Sequence, residues 1–170
     1  MECHCGAYFH ASTTLLEKVD QVQRSFVHKL GLTEQEAFLN FNFAPSSLRR
    51  NIAVLGLLHK RVLGQCHPTF ERLLPYAEQS IDFRTFAHSK QLYGHRLEAT
   101  HHRSLFSKSI FKMVDIYNNL PQHVVDVDKV TKFQHLLTEK ARVRCRQGMP
   151  FWWQSFSARA GPELAGGSTL

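Results

Sequence analysis

The stretch Pro45-Ser-Ser-Leu-Arg-Arg-Asn-Ile-Ala-Val-Leu-Gly-Leu-Leu-His-Lys-Arg-Val-Leu-Gly64 constrains the fold more than any other part of the chain. Pro45 and the two serines supply a helix start, Gly64 supplies a stop, and no proline lies between. On a wheel of about 100° per residue, Leu48, Ile52, Leu55, Val62 and Leu63 share one face, while Val54, Leu57 and Leu58 carry apolar character round the other sides. A helix that is apolar all round its middle has to be wrapped by others. Arg49 and Arg50 sit at one end and Lys60 and Arg61 at the other, eleven residues on, nearly three whole turns, so the two basic pairs face the same way. No acid lies between Glu36 and Glu71, and the expectation is a buried rod with uncompensated positive ends.

The flanking patterns predict the wrapping. Thr14 to Glu17 reads as a capping box, followed by Leu15, Val19, Val22, Phe26 and Leu30 at steps of three and four up to Gly31, an amphipathic helix over 14–30. Thr33 to Glu36 is a second capping box with a short helix through about Leu39. His67-Pro68 opens another short helix that Pro75 stops. The pattern dissolves from Tyr76 to His102, a long connection with room for extended pieces. Helical period returns over 104–120 and again over 128–141, the latter with Val130, Phe133, Leu136 and Leu137 inward and Asp126 or Asp128 as cap. The expected fold is all-α: a weakly ordered segment 1–11, a small helical domain over 12–141 wrapped round the buried central helix, and a C-terminal tail over 142–170 that is basic and then rich in Gly, Ser and Pro, disordered over Ser157 to Leu170. In that tail Phe151-Trp152-Trp153 and Phe156 are a stranded aromatic cluster.

Composition bounds the rest. With 170 residues, 43% of them hydrophobic and 13 Phe, the chain can bury one ordinary core. A net charge of +7 suits either a polyanionic partner or mere solubility. The four cysteines, Cys3, Cys5, Cys66 and Cys145, form no C-x-x-C and suit a reducing compartment. The N-terminus has no apolar leader pattern, and the longest apolar run, Ile52 to Leu58, is far short of the ~20 residues of a membrane span, so the expectation is an intracellular protein of cytoplasm or nucleus, not secreted and not in a membrane.

Nothing in the chain names a reaction. The one close carboxylate pair, Asp126 and Asp128, reads as helix capping rather than as a two-metal site. Cys3, Cys5, Cys66 and His67 lack the usual zinc spacing, and no phosphate-cradling glycine loop or G-x-S-x-G is present. No metal or cofactor is expected. His59 falls on the apolar wheel face and reads as a core histidine. Arg103, Lys108 and Lys112, beside His101 and His102, read as a basic surface, and Arg142, Arg144 and Arg146 as either an arm along a phosphate backbone or a solvated basic tail.

Several of these stretches, taken in order, match one pattern. Ala44 to Gly64 resembles the segment that follows the polymerase domain in reverse transcriptases of non-LTR (LINE-type) retrotransposons. Upstream, Leu16-Glu-Lys-Val-Asp-Gln-Val-Gln-Arg-Ser-Phe26 and Gly31-Leu-Thr-Glu34 resemble that family's helix with a V-Q-R-x-F core. Downstream, Arg103-Ser-Leu-Phe106, Tyr117-Asn-Asn-Leu-Pro121, Val124-Val125 and Val130-x-x-Phe133 resemble its terminal R-x-F-F, W-N-x-L-P and V-x-x-F pattern, with Tyr117 in place of the usual Trp. The resemblance covers roughly residues 7 to 141. It implies a helical thumb and C-terminal extension, which in the intact enzyme grips template RNA and primer. The family's Y-x-D-D palm motif has no counterpart here, so the resemblance implies a non-catalytic fragment of an RNA-directed DNA polymerase, binding RNA or single-stranded DNA without sequence specificity through Arg49, Arg50, Lys60, Arg61, Arg103, Lys108, Lys112, Arg142, Arg144 and Arg146. The alternative is a helical protein-interaction module with no nucleic-acid role, for which Val54 and Leu57 would be the contact surface.

Overall fold

The computed structural model describes residues 9–77, 88–94 and 109–157. They form seven helices: α1 (Thr13–Lys29), α2 (Glu34–Phe41), α3 (Ser46–Val62), α4 (Pro68–Leu73), α5 (Ile110–Asn118), α6 (Gln122–Val125) and α7 (Val130–Arg146), with a final 3-10 turn at Trp152–Gln154. No strand occurs among the described residues, and in the described part of the Tyr76 to His102 connection Tyr76 and Leu92 form an antiparallel bridge. The expected all-α class is the observed one.

Local chemistry accounts for the ends. Thr33 and Glu36 form the reciprocal capping box, Glu36 N–H donating to the Thr33 hydroxyl at 3.1 Å and Thr33 N–H to the Glu36 carboxylate at 2.8 Å. For α1 the cap is Ser12, whose hydroxyl accepts from Leu15 N–H at 3.3 Å, and not Thr14. Gly64, at φ +68°, takes the left-handed conformation that closes α3, with Gln65 N–H reaching back to the Lys60 carbonyl at 3.0 Å. Helix α7 begins at an N-cap of Lys129 without any side-chain cap, so neither Asp126 nor Asp128 caps it. Asp126 instead closes α6, accepts from Gln122 and lies 3.3 Å from Lys90 Nζ, and these partners hold its carboxyl below the usual range.

Helix α3 is the buried rod that its sequence demands. Leu48, Leu55 and Leu58 are wholly buried, and Ile52, Val54 and Val62 nearly so. It packs most extensively on α7, whose Phe133, Leu137, Ala141 and Cys145 lie inward at four-residue steps. At the crossing, a Cβ on Gly56 would come within 2.4 Å of Gln134 Nε2, so the Gln134 side chain fills the space that the glycine leaves. The packed part does not stop at Ala141. Helix α7 continues through Arg146, and the chain then returns Trp152 onto Phe38, rings stacked at 5.2 Å, with Phe156 also buried. Residues 142–157 therefore belong to the folded domain, anchored by the burial of Trp152 and Phe156.

His59, in the last turn of the rod, is wholly buried. Its Nε2 faces the Val127 carbonyl at 2.8 Å, which can only accept, so Nε2 carries the proton and Nδ1 accepts from the Tyr117 hydroxyl at 3.0 Å. The ring stacks on Phe133 at 4.1 Å. His88 Nε2 likewise donates to the Tyr117 carbonyl at 3.0 Å. Burial pushes both imidazoles below their ordinary value and raises the Tyr117 phenol. Since the folded pKa values are depressed, the unfolded chain binds the extra protons as pH falls below about 6.5. Stability is then complete above that pH and declines beneath it, before carboxylates titrate. The urea midpoint should accordingly drop between about pH 7.5 and pH 5.5 with an unchanged slope, and a midpoint that stays level over that interval would contradict the buried-neutral assignment.

Candidate nucleic-acid interface

The eleven-residue spacing within α3 does point two cations the same way, but inward. Arg50 is 5% exposed and forks onto Asp20 of α1, Nη1 to Oδ1 at 2.5 Å and Nη2 to Oδ2 at 2.8 Å. Arg61 is 6% exposed, donates from Nε to the Leu74 carbonyl at 3.0 Å and lies 4.7 Å from the Tyr76 ring centroid. The expectation of uncompensated positive ends is thus corrected, since the compensating acid stands thirty residues upstream on another helix. Of the same pairs, Lys60 is exposed, while Arg49 is half-buried, donates to Gln23 Oε1 at 3.1 Å and rests 5.3 Å from the Phe43 ring. The surface foreseen for a protein partner is corrected in part too, because Val54 is buried and only Leu57 is partly open.

The remaining nominated residues divide. Arg103 and Lys108 lie outside the described residues. Lys112 stands 3.5 Å from Asp115 one turn on. Arg142 is held by Glu139 at 2.8 Å and Asn42 Oδ1 at 2.5 Å over the Phe38 ring, so it fastens α7 to α2. Arg144 is half-buried and Arg146 exposed, and both sit on the last turns of α7 and not on a loose arm.

What the structure brings together instead is one face of α7. From Lys129 to Arg146 the chain carries six cations, Lys129, Lys132, Lys140, Arg142, Arg144 and Arg146, against one acid, Glu139. Lys132, His135, Glu139, Arg142 and Arg146 follow each other at steps of three and four opposite the buried Phe133 and Leu137, and Lys140 and Arg144 run one turn apart along the flank. Burial and the neighbouring Arg144 hold the Lys140 ammonium below its ordinary value. With Glu139 and Arg142 paired, the cations left on this face are Lys132 and Arg146, about 21 Å apart, with Lys140 and Arg144 on the flank. Lys129 and Lys132 fall within the expected helix 128–141, but the register of Lys132 with Arg142 and Arg146 shows only on a wheel carried through Arg146.

Between α1, the start of α3 and the final turn lies a cleft of about 300 Å³, into which Glu17, Asp20, Arg24, Glu34 and Arg50 project. It holds both signs of charge at close quarters. Among the described residues no group of three or more His, Cys, Asp or Glu is placed to hold a metal ion, and Cys66 and Cys145 are free thiols that burial pushes up. No described helix is long and apolar enough to cross a membrane. Comparison with protein-family models, curated proteins and solved structures finds no match to this chain.

Replacing Asp20 by Ala should cost about 2–3 kcal/mol of unfolding free energy, because it leaves a buried guanidinium without its acceptor. Replacing the exposed Lys60 by Ala should change stability by less than about 0.5 kcal/mol. Chemical denaturation of the two variants measures the contrast, and equal costs would show that Arg50 is not structurally anchored.

Proposed function

We propose that this chain is a non-catalytic helical piece related to the thumb and C-terminal extension of non-LTR retrotransposon reverse transcriptases, and that it holds RNA or single-stranded DNA by the backbone through α7. The observation that carries the reading is the excess of six cations over one acid from the N-cap Lys129 to Arg146, with Lys132 and Arg146 opposite the buried face of α7 and Lys140 and Arg144 on its flank. Lys and Arg along a straight rod meet phosphates without reading bases, so such contact tolerates sequence and releases counterions in proportion to the charges neutralised. The family resemblance over residues 7 to 141 supports the same role and supplies no polymerase step, since the palm carboxylates have no counterpart in the sequence. Arg50 and Arg61 drop out of the binding set, as their donors are already used inside the domain.

The test is the salt dependence of affinity. Changing Lys132, Lys140, Arg144 and Arg146 together to Gln should flatten the plot of log K against log salt for single-stranded RNA by up to about three units, at ~0.7 per contact, with helicity preserved. Lys60→Gln alone should remove at most one such contact. Absence of binding at low salt, or a slope that the fourfold variant leaves intact, would remove the nucleic-acid reading. A second reading, a helical protein-interaction module, is favoured by a separate observation: the apolar face of α1 is open to solvent.

A further inference from the structure

Leu15, Val19, Val22, Phe26 and Leu30 recur at steps of three and four, the spacing that ordinarily marks the face a helix turns to its core. In α1 that face is outside. The five residues are 57%, 40%, 71%, 54% and 57% exposed, whereas the residues turned to the domain are Leu16, Asp20, Gln23 and Val27. The open stripe runs about 22 Å from Leu15 to Leu30, four turns of helix. It is continued by Phe43, whose ring stands edge-on to Phe26 at 6.3 Å. A contiguous apolar surface on that scale marks an interaction site far more often than scattered exposed leucines do.

The charges beside it say what fits. Along the outer edge lie Lys18 and Lys29, which with Gln21, Val22, Ser25 and Phe26 line an open groove. Along the inner edge lies Arg49, bonded to Gln23 and resting over Phe43. Both acids of α1 are turned elsewhere: Glu17 and Asp20 line the cleft on the other side of the helix. The stripe is therefore an apolar floor between cationic edges. A second copy is the wrong occupant, because an antiparallel two-fold pairing of these stripes sets Lys18 and Lys29 against the same lysines of the other chain. We infer that α1 is a docking surface for an amphipathic helix with acidic flanks, its apolar residues at i, i+4, i+7 and i+11 lying along Leu15 to Leu30 and its Glu or Asp residues meeting Lys18, Lys29 and Arg49. This rests on the protein-interaction reading and is independent of the basic face of α7.

The test uses the full chain and a pair of labelled amphipathic peptides of about four turns, identical in their leucines and flanked by Glu in one and by Lys in the other. The Glu peptide should bind saturably and the Lys peptide at least about tenfold more weakly. Val22→Asp with Phe26→Asp, both at exposed positions, should weaken the Glu peptide about tenfold or more while circular dichroism stays unchanged. Lys18→Glu with Lys29→Glu should reverse the preference between the peptides. The fourfold α7 variant should bind the Glu peptide as the parent does, which separates this inference from the nucleic-acid reading. Binding of neither peptide, equal binding of both, or a self-association of the chain that Val22→Asp with Phe26→Asp dissolves would each overturn the assignment, the last in favour of a second copy.

Discussion

The fold depends on meeting the hydrogen-bonding needs of a helix that is buried over most of its surface and carries Arg50, His59 and Arg61 within its buried span. A buried guanidinium or imidazole without partners costs several kcal/mol, comparable to a large part of a small domain's whole stability. Each of the three is met from a different direction. Asp20 of α1 takes Arg50, the Tyr117 hydroxyl of α5 and the Val127 carbonyl before α7 take His59, and the Leu74 carbonyl after α4 takes Arg61. Four separate pieces of chain are thereby keyed to one rod. Hydrophobic burial holds them against α3 without direction, and these polar contacts fix where along α3 and in which rotation each one sits.

The same arrangement decides where positive charge remains for solvent. An arginine engaged with a carboxylate and 5% exposed presents almost no field to a phosphate, since its charge is neutralised and its donors are spent. On α7 the outcome is different because the segment from Lys129 to Arg146 carries six cations against one acid, and because Lys132 and Arg146, opposite Phe133, Leu137 and Ala141, are exposed.

How much of this the sequence disclosed depends on the range of the interaction involved. Caps and stops are local, so the box at Thr33 and Glu36, the N1 proline of α4 and the left-handed Gly64 could be read directly. The burial of α3 was legible for a related reason: a helix apolar on all sides admits one environment. The pairing of Arg50 with Asp20 was not, because thirty residues separate them and no local pattern joins them. Trp152 was misassigned for want of its partner Phe38, more than a hundred residues earlier, and with it the end of α7 and the set of basic residues along that helix. The open face of α1 shows the limit most plainly, as periodicity identifies the apolar side of a helix without saying what covers it.

Why α1 turns its less apolar side inward follows from those long-range contacts. Gln23 donates to the Ala44 carbonyl at 2.9 Å and accepts from Ser46 and Arg49, which ties the start of α3 and the turn before it, while one turn earlier Asp20 holds Arg50. Rolling α1 by about 90° to bury Leu15, Val22 and Phe26 would withdraw both side chains at once, strand a guanidinium in the core and bring Leu16 and Val27 out to water. The rotation of the helix is therefore fixed by two polar residues against the preference of five apolar ones. With those five residues 40–71% exposed, that outcome leaves hydrophobic free energy ungained along four turns. A second helix laid on the stripe would recover it without disturbing Asp20 or Gln23, so the polar anchors that hold the domain together are the same feature that keeps this surface available.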